Sequence, residues 1–416
     1  MSKEKPQTSA EEQQLLDRIT SSVSAAMSAE EIKRLVIGVS LDSIRAERGY
    51  VTLLPQQQRD DGSTTSTRSY DRPGDALPRH LRMVLAGFMG RHQEPLLVNE
   101  AVTDERFKGC EWCQMPIRSV LAVPLTVKAR LVGYLALFNK KTGGFTRQDQ
   151  KHLYLVGELS AETLVLAQLR TDYLKDLEAA RIIQQTLLPK ETPKIRGFDV
   201  AGMMVPSKMV GGDYFDYPLL SDGRLGFVVA DVSGKGLPAA MLMCSLQATV
   251  RSQAAASSSC LECLNNINRM LINLPMPTGD YVTLFLAVLD AGQKTLCYSN
   301  AGHNPPLLFR ADGIFQRLTT GGRFLGVAGL SDEAPYDEAR VSLSKGDLLL
   351  IFSDGVIEAR NKKDEQFGEN RLLEAVKPIL TQAASDILSG INKAVHDFTG
   401  ERSAADDLTL MVVKAS

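Results

Sequence analysis

Three apolar runs in the C-terminal half end or begin in aspartates. RLGFVVAD (224–231) and DLLLIFSD (347–354) each close on one, and AADDLTLMVV (404–413) opens with two. A fourth segment, VGGDYFD (210–216), sets Asp213 and Asp216 beside paired glycines. A carboxylate at the end of a buried strand is costly unless it is paired or liganded. Taken singly, each aspartate reads as a cap or turn residue. Together, each beside Gly or Ser in a tight turn, they point to one shared site. Clustered carboxylates repel one another and titrate upward without a cation. An all-oxygen donor set suits magnesium or manganese, and no His/Cys cluster nearby suggests zinc.

Other phosphate and redox motifs fail on spacing. VADVSGKG (229–236) has Val229 where a phosphate loop needs its first glycine, and Gly236 where it needs Ser or Thr after Lys235. Cys244 and Arg251 are one residue too far apart for a cysteine-phosphatase loop, and no EF-hand spacing occurs. Cys110/Cys113 and Cys260/Cys263 have CxxC spacing, but they lie about 150 residues apart, a distance on the scale of a whole domain. They read as unrelated thiols.

The elements that must position these residues follow from patterning. At about 150 residues per domain, 416 residues give two or three domains. Ordinary apolar (44%) and charged (23%) fractions exclude a disordered chain or a disulfide scaffold. A net charge of −2 argues against a nucleic-acid binder. No apolar run is long enough to span a membrane, and MSKEKPQTSAEEQQ lacks the apolar core of a secretory signal. The expected setting is cytoplasmic, with no membrane and no nucleic acid as partner.

A polar tail (1–10) precedes helical spacing from Leu15 to Met27. Ser28 and Glu31 form a capping-box signature for a second helix. GYVTLL (49–54), SVLAVPLTV (119–127) and LVGYLALFNK (131–140) read as strands, 55–75 as a loop or exposed hairpin, and 144–169 as a helix capped at Thr146. Positions 159, 163, 166, 170, 173, 177, 180, 184 and 187 continue with heptad spacing. Six are apolar, and Thr163, Arg170 and Gln184 interrupt them. A parallel two-stranded coil, hence a homodimer, is expected there, and Pro189 and Pro193 end it.

LVNEAVTDERF (97–107), IRSVLAVPL (117–125), GYLALFNK (133–140) and FTRQDQ (145–150) resemble a GAF sensor domain. Its ligand is unknown, and Trp112 reads as local packing. PSKMVGGDYFD (206–216), ADVSGKGLPAAMLM (230–243), YSNAGHNPPLLF (298–309), FSDGVIEARN (352–361) and ADDLTLMVV (405–413) resemble, in order, bacterial metal-dependent serine/threonine phosphatases of the PPM type, the SpoIIE/RsbU-like group. ARIIQQTLLPKETP (180–193) is similar to that group's entry helix. The fold this implies is α+β: a GAF domain (11–168), a helical linker with coiled-coil spacing (169–192) and a PPM-type αββα β-sandwich (193–416).

The resemblance implies two divalent cations, Mn2+ or Mg2+. Asp231 would bridge them, the Val232 carbonyl and Asp213 would complete one, and Asp354 and Asp406 would hold the other. Asp407 is expected to tune its turn, Asp216 to serve its own turn rather than a metal, and His303 and Asn304 to stabilise the NAGHNPP turn. Lys208, near Asp213, is a candidate phosphate grip, although it reads better as a solvated lysine. Helix 237–251 would receive the GAF signal. The activity implied is hydrolysis of phosphoserine or phosphothreonine on a partner protein, by analogy a STAS-type anti-sigma-factor antagonist. A non-catalytic sensor-scaffold is the rival, and the presence of all four aspartates speaks against it.

Overall fold

The computed structural model describes residues 27–54, 77–112, 115–273, 280–327, 336–400, 402 and 404–416. The helical spacing from Leu15, the 55–75 loop and Cys113 lie outside them. The chain divides into two compact units, Met1–Lys175 and Asp176–Ser416.

In the first unit, helix α1 (Ala29–Ile44) starts at a complete Ser28/Glu31 capping box. Strand β1 (Ala46–Leu53) follows, then α2 (Arg79–His92), β2 (Leu96–Val98), the two-residue strands β3 (Glu111–Trp112) and β4 (Met115–Pro116), β5 (Val120–Val127) and β6 (Arg130–Lys140). The main sheet is antiparallel in the order β1-β6-β5-β2. Side-chain alternation divides its faces. Leu135 and Leu137 pack with α1 residues Val36 and Val39 and with Leu153 and Val156 of the helix that follows β6. Tyr134, Ala136 and Phe138 pack with α2 residues Leu81, Leu85 and Met89. That following helix, α3 (Arg147–Leu187), begins where the Thr146 hydroxyl accepts from the Asp149 amide at 3.1 Å and Asp149 accepts from the Thr146 amide at 2.7 Å.

The second unit is a four-layer αββα sandwich. One sheet runs β14-β11-β10-β9-β8, with β15 paired to β11; the other runs β13-β12-β16-β17-β7. Their strands are β7 (Phe198–Val205), β8 (Tyr214–Asp216), β9 (Leu225–Val232), β10 (Val282–Asp290), β11 (Thr295–Ala301), β12 (Leu307–Phe309), β13 (Phe315–Arg317), β14 (Gly321–Gly322), β15 (Ala339–Ser342), β16 (Leu348–Phe352) and β17 (Leu408–Ala415). Phe227, Val229 and Phe285 from the first sheet meet Leu349, Ile351 and Met411 from the second. The alternate residues Val228, Ala230 and Val232 face helices α4 (Leu237–Ala256) and α5 (Cys260–Ile272). On the far side Leu350, Phe352 and Val412 face α7 (Gly368–Val376) and α8 (Ala384–Thr399), which follow the one-turn α6 (Asp354–Ile357).

Cys260 and Cys263 are buried in the core under α5, and the cysteines of the described residues are free thiols. Among those residues no helix is long and apolar enough to cross a membrane.

Candidate metal centre

Alternation along the strands decides which aspartates can meet. Asp231 shares a parity with Phe227 and Val229, so it points toward the sandwich interior at the strand's end. Asp213 shares a parity with the interior-facing Phe215. Thr409, of the same parity as Met411, donates its hydroxyl to Asp213 Oδ2 at 2.6 Å across the two sheets. Asp354 opens α6 directly after β16, and Asp406 lies in the turn before β17. Strand ends from both sheets thus bring Asp213, Asp231, Asp354 and Asp406 into one electrostatic neighbourhood.

The electrostatics follow from that crowding. Burial, then Asp231 beside it, pushes the Asp213 carboxyl well above the usual range. Burial, then Asp354 and Asp406, pushes Asp231 up to about 7. Asp354 is raised by burial, then by Asp406 and Glu358. These groups are held ready to give up protons to a cation. The donor chemistry therefore fits a hard divalent ion. Among the described residues, however, no three such side chains are already arranged around an ion position. Asp406 is instead paired with Lys235, whose Nζ lies 2.6 Å from Oδ2.

Asp407 organises the backbone beneath the cluster. It accepts from the Ser207 amide at 2.7 Å and hydroxyl at 3.0 Å, and from the amides of Gly212 at 2.7 Å and Asp213 at 3.4 Å. The approach is so close that a Cβ on Gly211 would stand 2.2 Å from Asp407 Oδ2, and one on Gly212 2.8 Å from the Val232 carbonyl oxygen. Gln184, near the end of α3, clasps the same loop: its Nε2 donates to the Gly211 carbonyl at 2.7 Å and its Oε1 accepts from the Gly211 amide at 3.1 Å. The residue that interrupts the heptad spacing is therefore buried for its own purpose.

Asp216 is not a turn residue but the last residue of β8. It shares a parity with the helix-facing Tyr214, so it points away from Asp213. It accepts from Tyr214 Oη at 2.6 Å and from Arg251 Nε and Nη2 at 2.7 and 3.0 Å. His303 is buried in its turn, where its amide donates to Asn300 Oδ1 at 2.7 Å. Its Nδ1 lies 2.8 Å from the Thr283 hydroxyl, and Thr283 is the register partner of Asp231. Asn304, also singled out in that motif, is only partly buried. Lys208 is exposed alongside Gly236. No sequence signal showed what Lys235, Thr409, Gln184 and Arg251 bind, because each acts on a partner remote in the chain.

An αββα sandwich with carboxylates gathered at one end of its two sheets is the arrangement expected of a PPM-type, or PP2C, phosphatase domain. Residues 221–416 match the family of Stage II sporulation protein E (SpoIIE), and residues 11–164 match the GAF domain. The chain carries a GAF domain followed by a SpoIIE-type PP2C phosphatase domain. It is similar to Phosphoserine phosphatase RsbU of Bacillus subtilis (strain 168), 27% identical over 263 residues, 61% of this chain and 74% of RsbU. It is also similar to Protein IcfG of Synechocystis sp. (strain ATCC 27184 / PCC 6803 / Kazusa), 28% identical over 264 residues, 57% of this chain; the chain spans only 41% of IcfG. The SiaA-PP2C domain of Pseudomonas aeruginosa shares the fold at a TM-score of 0.52 and 18% identity, over 60% of this chain and 100% of that domain.

Proposed function

We propose that this chain is a metal-dependent protein serine/threonine phosphatase under GAF control. It removes phosphate from phosphoserine or phosphothreonine of a partner protein, a STAS-type anti-sigma-factor antagonist, in the cytoplasm. The observation that carries the reading is the carboxylate cluster at the end of the sandwich: the buried Asp213, raised by burial and by Asp231, and the partly buried Asp231, raised by burial and by Asp354 and Asp406. Such a cluster is kept at the cost of stability, and a cation site accounts for it.

In this reading Asp231, with Asp213 and the Val232 carbonyl on one side and Asp354 and Asp406 on the other, would hold two divalent cations, Mn2+ or Mg2+. Bound there, the cations supply a water acidic enough to ionise near neutral pH and offset charge on the phosphoryl group. The chain's own part is positional. Thr409 fixes the Asp213 rotamer. Asp407 fixes the Gly211–Asp213 backbone, and the β9–β10 register fixes Asp231 opposite Thr283. In this reading the attacking group is water rather than an enzyme side chain, so no covalent enzyme intermediate is needed.

A homodimer through α3 accords with its exposed apolar side chains, Leu166, Leu169, Tyr173, Ile182 and Ile183. RsbU is itself a phosphoserine phosphatase, which supports the substrate class. The test is full-length protein, manganese and a STAS-domain protein phosphorylated on serine, followed by mass spectrometry. Loss of the phosphoryl group, at a rate that depends on metal, supports the reading. Stable binding without cleavage would move it to a sensor-scaffold.

A further inference from the structure

Building on the phosphatase reading above, we propose that Lys235 is the residue that grips the substrate phosphate, and that it is stored on Asp406 until a cation claims that carboxylate. Lys235 lies in the turn between β9, which carries Asp231, and α4. Its neighbours Gly234 and Gly236 take φ of +92° and +78°, a region closed to most side chains. Its Nζ donates to Asp406 Oδ2 at 2.6 Å and to the Ala405 carbonyl at 2.7 Å. Its side chain is 43% exposed and that of Asp406 28%, so the pair sits at the open edge of the cluster, where a phosphorylated chain can reach.

A dication at Asp406 repels the ammonium beside it and draws on the same negative charge, so the two compete for that carboxylate. When a cation takes Asp406, the ammonium is released but stays tethered within a side chain's length of the ion. That is where a phosphoryl oxygen bound at the cluster needs a positive donor. A lysine, with a flexible stem and three rotatable donors, suits both positions. The exposed Lys208 adds positive charge near the same turn: its Nζ stands 3.9 Å from where a Cβ on Gly236 would be.

The proposal predicts two effects of opposite sign in one variant. Full-length protein, Lys235→Met and Lys235→Arg are titrated calorimetrically, first with Mn2+ and then, manganese-saturated, with inorganic phosphate. Removing the competitor makes Lys235→Met bind Mn2+ about tenfold more tightly, and losing the donor makes it bind phosphate about tenfold more weakly. Lys235→Arg retains phosphate binding. A merely structural lysine would weaken both affinities together, and a surface lysine would change neither; either result overturns the proposal. Wild-type protein that binds Mn2+ but no phosphate would instead overturn the phosphatase reading beneath it.

Discussion

Arg251 is the counter-charge of a carboxylate that has almost no water. Asp216 has a side chain 2% exposed, and two of its four hydrogen bonds come from Arg251. Breaking a buried pair by removing one partner costs about 3–5 kcal/mol, because a charge is left uncompensated. Arg251 is itself 54% exposed, and Tyr214 Oη and the Tyr217 amide still serve Asp216, so water and those donors recover part of the loss. Arg251→Met should therefore destabilise the second unit by about 2–3 kcal/mol. The double variant with Asp216→Asn should recover at least about 1 kcal/mol of it, since the orphaned charge is gone. The sole tryptophan, Trp112, belongs to the first unit and provides an internal control. Native-state hydrogen exchange of the 198–232 amides should speed up, while the urea transition seen by tryptophan fluorescence stays put. A loss under about 0.5 kcal/mol, or no coupling between the two substitutions, would refute the argument that burial makes this pair obligatory.

Three further outcomes follow from neighbouring contacts. Gln184→Ala strips both hydrogen bonds from the buried Gly211 peptide, so the second unit should lose about 1–3 kcal/mol in urea unfolding, and Mn2+ binding should weaken with it. Gly211→Ala forces a methyl group against Asp407 Oδ2 and should be worse than Gln184→Ala in the same assay, because the Asp407 carboxylate must move off its Ser207 and Gly212 hydrogen bonds. His303, whose pKa burial lowers from 6.5 to about 4, stays neutral when folded while the unfolded chain takes up a proton. Stability of the second unit should therefore be full above pH 6.5 and fall by about 3 kcal/mol between pH 6.5 and 4 on this account alone, a slope that His303→Asn should flatten in calorimetric scans across that window.

Much of this architecture is legible in the sequence because alternation and chain breaks encode it. The runs 224–231, 347–354 and 404–413 are apolar on both faces, as strands between a helix layer and a second sheet must be, and their polar ends mark where the sandwich stops. Ser28 and Thr146 announce their helices by local hydrogen bonds. What is illegible is pairing at a distance. Asp216 sits three residues from Asp213 in a glycine-rich segment and so looked like part of a turn, yet strand parity sends it to the opposite face, where Arg251 waits 35 residues on. Gln184 looked like a flaw in a heptad, because nothing local reveals Gly211 as its partner. Lys235 sat inside a failed phosphate-loop pattern, and its attachment to Ala405 and Asp406 lies 170 residues downstream. The two-residue strand β14 is too short to leave a periodic trace.

The central claim is that Asp213, Asp231, Asp354 and Asp406 work as a cation-dependent hydrolytic centre. The most direct measurement is release of p-nitrophenol from p-nitrophenyl phosphate by the full-length protein with manganese, with EDTA, and with Asp231→Asn. Turnover with manganese that disappears in both controls is the predicted result. Turnover that survives EDTA or Asp231→Asn would contradict the claim.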